Sequence, residues 1–203
     1  MAEPGTAWTP RGAWTGIVAQ GAFGAAGDGI KIRLREGLDI ASLIASQEQQ
    51  PALGRAIENR LGLSLPTRPV AVSSESHRLV WAGPGQWLLV AMAHDGFAAD
   101  CAALTAHAAV ADQSDSRAVL SLSGAMARKV LAKGCMVDLH PRVFPVGATA
   151  LSSIAFIGVH IWRSQDGPEG AVYEIMVPRS MAGSFWSWLS ASAAEFGCAI
   201  TAG

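Results

Sequence analysis

The sequence predicts an α+β fold with mainly antiparallel sheets and packed helices, and three observations carry that prediction. Residues 117–201 read in order as β-α-β-β-β-α-β, close to a split βαβ unit with one added strand. The apolar runs His77 to Ala82 and Gln86 to Met92 flank Gly83-Pro84-Gly85, the signal of a hairpin with a tight loop. No low-complexity linker divides the 203 residues, a length that supports one core or two small lobes sharing one. Hairpin-type connections dominate, which disfavours a doubly wound parallel sheet. The expected organisation is an arm over 1–29 and a single domain over 30–203, with lobes of about 30–114 and 115–203.

The first 29 residues are rich in Gly and Ala, with Trp8, Trp14 and Phe23 scattered and little periodicity, so an extended arm or mobile lead-in is expected. Its glycines lack the G-x-G-x-x-G spacing and the lysine of a phosphate loop. Ile30, Ile32 and Leu34 then alternate with Lys31, Arg33 and Arg35, the period of a half-buried strand. Pro51 opens a helix at a position where its missing N–H costs nothing. Leu53, Ile57 and Leu61 share one face of that helix, and Gly62 ends it.

The hairpin follows, and then an Ala-rich helix from about Asp95 to Ala109. Arg117 to Leu122 alternates as a strand, with Ser123 as N-cap of a helix to Lys133 and Gly134 at its end. Ala148 to Trp162 predicts two strands bending near Phe156 to Gly158, and Val172 to Val177 a third. Ser180 caps a helix to about Phe196 with Met181, Phe185, Trp188 and Leu189 on its stripe, and Cys198 to Thr201 closes the chain as a short strand.

Charged residues make up 15% of the chain, against roughly 25% for an average soluble domain. The net charge is −1 and no basic face stands out, so nucleic acid is not an expected partner. Seven Trp and an excess of Arg over Lys match the composition of interface cores. An Arg-biased genome would give the same Arg excess. Three cysteines, odd in number and without C-x-x-C spacing, predict no disulfide framework and a reducing compartment. The start Met-Ala-Glu-Pro-Gly has no basic region before an apolar core, and no apolar run approaches the ~18 residues of a membrane span. A soluble cytoplasmic protein is expected.

The most informative segment is Gly134 to Gly147, an apolar connection stiffened by Pro141 and Pro145, longer than the usual ~4–6 residues. Cys135, Asp138 and His140 cluster there and offer metal-ligand chemistry. A buried thiol, a capping carboxylate and a hydrogen-bonded imidazole are the ordinary alternative. We expect Asp138 and His140 to hold the segment's own backbone, and Arg142 and Phe144 to face a neighbouring lobe or subunit. No G-x-S-x-G elbow supplies a nucleophile. His77, His94, His107 and His160 stand singly and are read as structural or surface histidines. Trp186 and Trp188 straddle a helix face, so at most one points fully inward and the other is a candidate interface anchor.

Four segments together resemble the gamma subunit family of heterotetrameric sarcosine oxidases. They are Trp81-Ala-Gly-Pro-Gly-Gln-Trp-Leu-Leu89, Asp115-Ser-Arg-Ala-Val-Leu-Ser-Leu-Ser-Gly124, the Gly-Cys-x-x-Asp-Leu-His-Pro core at 134–141, and Pro178-Arg-Ser-Met-Ala-Gly-Ser-Phe-Trp-Ser-Trp-Leu189. The resemblance implies a fold related to the folate-binding aminomethyltransferase domain of the glycine cleavage system. It implies assembly with alpha, beta and delta subunits, in which FAD, FMN, NAD, zinc and tetrahydrofolate belong to the partner chains. The implied reaction is oxidative demethylation of sarcosine to glycine with hydrogen peroxide, the one-carbon unit passing to tetrahydrofolate.

No catalytic, cofactor or metal residue carries over, so this chain is expected to be non-catalytic. Trp81, Trp87, Asp138, His140, Arg142, Phe144, Arg179 and Trp186 are its candidate structural or subunit-contact residues. Two alternatives stand beside this reading. One is a free-standing folate-binding protein with Asp115, Arg117 and Trp162 in its pocket. The other is the equivalent subunit of a related N-methyl amino acid dehydrogenase, acting on N-methylglutamate or dimethylglycine.

Overall fold

A computed structural model describes residues 11–92 and 95–203; Trp8 and His94 lie outside them. In chain order the elements are β1 (Gly21–Phe23), β2 (Ile30–Arg35), β3 (Asp39–Ile44), α1 (Gln50–Leu61), β4 (Ala71–Ser73), β5 (His77–Gly83), β6 (Gln86–Ala91) and α2 (Phe97–Leu104). Then come β7 (Ala109–Asp112), β8 (Arg117–Ser123), α3 (Ala127–Leu131), β9 (Thr149–Ile154), β10 (Ile157–Gly167), β11 (Gly170–Pro178), α4 (Ala182–Ala193) and β12 (Cys198–Ala202).

The strands form a seven-stranded sheet, β1-β12-β2-β8-β11-β10-β9, and a five-stranded sheet, β4-β5-β6-β3-β7. Among the described pairings only β2 with β12 is parallel.

Strand alternation sorts the side chains into layers. Ile30, Ile32, Leu120, Leu122, Ile161 and Ile175 share one face of the large sheet and pack with Leu131, Phe185 and Leu189 of α3 and α4. Ala41, Leu43, Leu79 and Leu89 of the small sheet pack with Leu53 and Ile57 of α1 and Leu104 of α2. The inner faces meet in a smaller cluster of Ile40, Val80, Leu88, Val90, Val119, Trp162 and Met176. The result is a four-layer helix–sheet–sheet–helix stack.

Gly62 ends α1 in the left-handed region, φ 66°, with its N–H on the Glu58 carbonyl, as its sequence position requires. Gly134 has a different reason: a Cβ there would stand 2.7 Å from the Trp188 indole, so α4 lies directly over it.

Several expectations are corrected. The described part of the first 29 residues is docked rather than a mobile lead-in. Trp14 is buried, its Nε1 donates to the Val119 carbonyl at 2.8 Å, and β1 extends the large sheet. The chain crosses between sheets at 36–38 and 113–116, so β2 pairs with β8 and β12 rather than with the first lobe. The helix expected to reach Ala109 stops at Leu104, because Ala109–Asp112 pairs with β3. Ser123 caps no helix; it is the last residue of β8, opposite Lys31. Ser180 makes no capping bond and sits in a 3-10 turn before α4. β3 escapes sequence reading because Ile40 faces the inter-sheet cluster while Ala41 and Leu43 face the helices, which blurs the period of two.

Candidate functional site

The segment from Gly134 to Gly147 is pinned at both ends of β9. Cys135 bridges Ile154, Met136 N–H donates to the Ser153 carbonyl at 3.2 Å, and Ala155 N–H donates to the Gly134 carbonyl at 3.0 Å. At the other end Gly147 N–H donates to the Arg163 carbonyl at 2.8 Å. Arg163 is itself buried, its Nη1 donating to the Phe144 carbonyl at 3.0 Å and its Nε to Asp166 Oδ1 at 3.1 Å.

Within the segment the Asp138 carboxylate accepts from the His140 N–H at 2.8 Å, and His140 Nδ1 from the Arg142 N–H at 3.3 Å. Both side chains are exposed and turned onto local backbone. Burial holds the Cys135 thiol up, away from the thiolate a metal needs, and no group of three ligating residues converges among the described residues.

Phe144 corrects the expectation that it faces a neighbour. It is buried in its own domain, 6.5 Å from the Tyr173 ring, while Tyr173 Oη donates to the Leu139 carbonyl. Leu139 and Phe144 are thus the anchors. Arg142 is exposed.

The same segment turns other apolar side chains outward. Met136 is 79% exposed, and Val143 and Val146 are also exposed, as is Leu151 on edge strand β9. Phe156, at the tip of the β9–β10 hairpin, is 102% exposed. Ala155 and Phe156 hold φ of 50° and 65°, the paired left-handed conformation of a two-residue turn that favours Asn and Gly. A bulky aromatic is an uncommon occupant of that conformation and gains nothing from burial here.

The remaining candidates have separate surroundings. Trp87 is buried and donates to the Pro66 carbonyl at 2.7 Å; Trp81, half-buried, is its cross-strand partner. Trp186 packs edge-on against Phe23, with centroids 5.9 Å apart, and Trp188 against Phe185. Both are half-buried, so neither points fully inward, as expected, and neither is the free exposed aromatic that was the candidate anchor. Arg179 donates to the carbonyls of Arg11 and Gly12 and lies 3.7 Å from Asp115, fastening the docked N-terminal residues.

The pocket trio Asp115, Arg117 and Trp162 does not assemble as one surface for a flat ring. Asp115 and Arg117 line a cavity of about 350 Å³ where the chain crosses between the sheets. Trp162 is buried in the inter-sheet layer, with Arg78 5.9 Å from its ring centroid. A pterin could not stack on it without parting the sheets.

Sequence reading also missed the partners of His77. Its Nδ1 lies 2.9 Å from Ser76 Oγ and its Nε2 3.2 Å from Asp100 Oδ2, while Arg60 Nε donates to the other Asp100 oxygen at 2.6 Å. These groups come from α1, α2 and β5, so the network ties both helices to the small sheet. Only the fold brings residues 60, 77 and 100 together.

The four-layer stack, with its two sheets and apolar edge, is the aminomethyltransferase type of α+β fold. It is shared, as fold alone, with aminomethyltransferase T of the glycine cleavage system from Bartonella henselae: TM-score 0.58, 16% identity, 86% of this chain and 48% of that one. The chain belongs to the sarcosine oxidase gamma subunit family, whose model matches residues 45–195. It is 37% identical over 113 residues to the sarcosine oxidase subunit gamma of an Arthrobacter species, 54% of this chain and 56% of that relative. The subunit gamma of Corynebacterium sp. (strain U-96) is 31% identical over 144 residues, 70% of this chain and 68% of that one. A chain of the heterotetrameric sarcosine oxidase from Corynebacterium sp. U-96 superposes with TM-score 0.73 at 30% identity, covering 85% of this chain and 88% of that chain. The first of these relatives is thus matched over little more than half its length.

Proposed function

We propose that this chain is a non-catalytic subunit of a flavin-dependent sarcosine-oxidising complex, and that the β9 edge of its large sheet docks on the flavin-bearing chains. The observation that carries the reading is the exposed Phe156, held in a strained turn at the tip of the β9–β10 hairpin, with Leu151 of edge strand β9 and Met136, bonded to that strand at Ser153, also exposed. A patch of this kind on a chain of low charge is expected to be covered in an assembly. The flavins, NAD, zinc and tetrahydrofolate of the reaction are assigned to the alpha, beta and delta partners, and the complex to the cytoplasm. No helix among the described residues is long and apolar enough to cross a membrane.

The double substitution Ala155→Asn with Phe156→Gly separates assembly from folding. An Asn-Gly turn suits this backbone, so the free chain should be about 1 kcal/mol more stable by urea titration. Co-purification with co-expressed flavin-bearing chains should fall at least about tenfold. A variant that assembles normally would overturn the docking surface. A wild-type chain that captures no flavoprotein would overturn the subunit reading itself.

A further inference from the structure

The inner face of the large sheet carries one cation, Arg117, that has no partner among the described residues. Glu174 is the buried carboxylate of this layer, 3.5 Å from Arg35. Arg78, on β5 of the facing sheet, is close enough to feel both Arg35 and Glu174, and burial pulls its pKa down. Arg117, at the start of β8, makes neither an ion pair nor a side-chain hydrogen bond with the described residues, and its Nε is buried.

Arg35 and Arg78 therefore share one buried carboxylate, while Arg117 stands opposite Pro178, four residues along β8 from Ser121, the cross-strand partner of Glu174. His160 Nε2 and Trp162 Nε1 are also buried in this layer without partners among the described residues. Arg117 adds to the burial that drives His160 down to about pH 4, so that imidazole is neutral near pH 7 and Arg117 is its charged neighbour. Water can satisfy a neutral N–H, but it does not neutralise a half-buried cation such as Arg117.

Arg117 is also part of a cavity. It shares the walls of the 350 Å³ space with Arg35, Ser114 and Val119, at the lower end of the range for small-molecule sites. Both inter-sheet crossings, at 36–38 and 113–116, border it. The acids nearby are engaged: Glu36 accepts from the N–H groups of Ala13 and Trp14 at 2.8 and 3.0 Å, and Asp115 lies beside Arg179.

We infer that this crossover cavity binds a small carboxylate, held by the planar fork of Arg117 and joining the two sheets at their junction. A planar carboxylate matches a guanidinium with two parallel hydrogen bonds. A phosphate dianion is the poorer fit, because Glu36, Asp39 and Asp115 also line the walls.

The test uses the full chain, titrated with acetate, succinate and inorganic phosphate at constant ionic strength, with chloride as control. Thermal denaturation and Trp fluorescence are the readouts, since Trp14 and Trp162 flank the region. Acetate or succinate should raise the melting temperature saturably, and phosphate should do so less. Arg117→Met should melt no lower than wild type without carboxylate and lose the carboxylate-induced rise. Arg117→Lys keeps the charge without the fork and should bind about tenfold more weakly; it serves equally if the Met variant does not fold. The inference is overturned if no carboxylate shifts wild type at 50 mM or less (~50 mM is already a weak site by affinity arithmetic). It is also overturned if either variant responds as wild type does, or if phosphate matches the carboxylates. None of these readouts involves a partner chain, so failure here leaves the subunit reading untouched.

Discussion

The two faces of the seven-stranded sheet are built on opposite rules. Toward α3 and α4 the face is continuous and apolar, with Ile30, Leu120, Ile161, Ile175, Phe185 and Leu189 all at 4% exposure or less. Toward the small sheet the same strands present Arg35, Arg117, Ser121, His160 and Glu174 among a few hydrophobic residues. One face holds the fold by packing, and the other leaves the buried nitrogens of Arg117, His160 and Trp162 without partners among the described residues. The teaching is that stability and ligand-binding capacity are divided between the sides of one sheet, because adjacent residues on a strand point opposite ways.

The largest effect should come from the packed face. Phe185→Ala removes a fully buried ring and should cost about 3–5 kcal/mol in a urea titration. A loss below 1 kcal/mol would mean that the helix-side core is not what carries stability, and the contrast would break.

Next comes the polar face, through pH. His160 has a folded pKa of about 4, below its usual 6.5, with burial as the main cause and Arg117 as the second. Between those values the unfolded chain binds the proton and the folded one does not, so stability falls as pH drops from about 6.5 toward 4. The loss is on the order of 3 kcal/mol. His160→Leu should flatten this dependence in urea midpoints measured across that window. An unchanged slope would assign the acid sensitivity elsewhere.

The smallest effect tests the docked N-terminal residues, which bridge the contrast. Trp14→Phe keeps the apolar ring but leaves the buried Val119 carbonyl without its donor, for a cost of about 1–2 kcal/mol. No measurable change would mean that residues 11–29 merely lie on the core.

Much of the architecture was legible in particular residues. Ile30, Ile32 and Leu34 announced β2 by alternation, Pro51 and Gly62 bracketed α1, and the Gly83–Gly85 turn placed β5 against β6. Those signals are local, set by backbone preference and side-chain period. β3 and β7 were not legible, since β3 is buried on both faces and β7 lies in an Ala-rich stretch whose local preference is helical. The site was read only in part. Asp138 and His140 could be expected on backbone two residues away, because those bonds are short-range. Phe144 could not be placed, since an apolar residue on a stiff loop serves equally as an anchor or a contact.

By itself, then, the sequence determined the α+β class, most of the strand and helix order, and the local backbone bonds of Asp138 and His140 within 134–147. Tertiary structure alone decided which apolar residues of that segment turn inward. It also decided that β2 joins the large sheet, and that Arg117 and His160 share an inter-sheet layer in which neither the Arg117 Nε nor the His160 Nε2 has a partner among the described residues. The physical reason is range: hydrogen-bonding period and turn preference act over a few residues. Burial and Coulomb balance depend on groups brought together from distant parts of the chain.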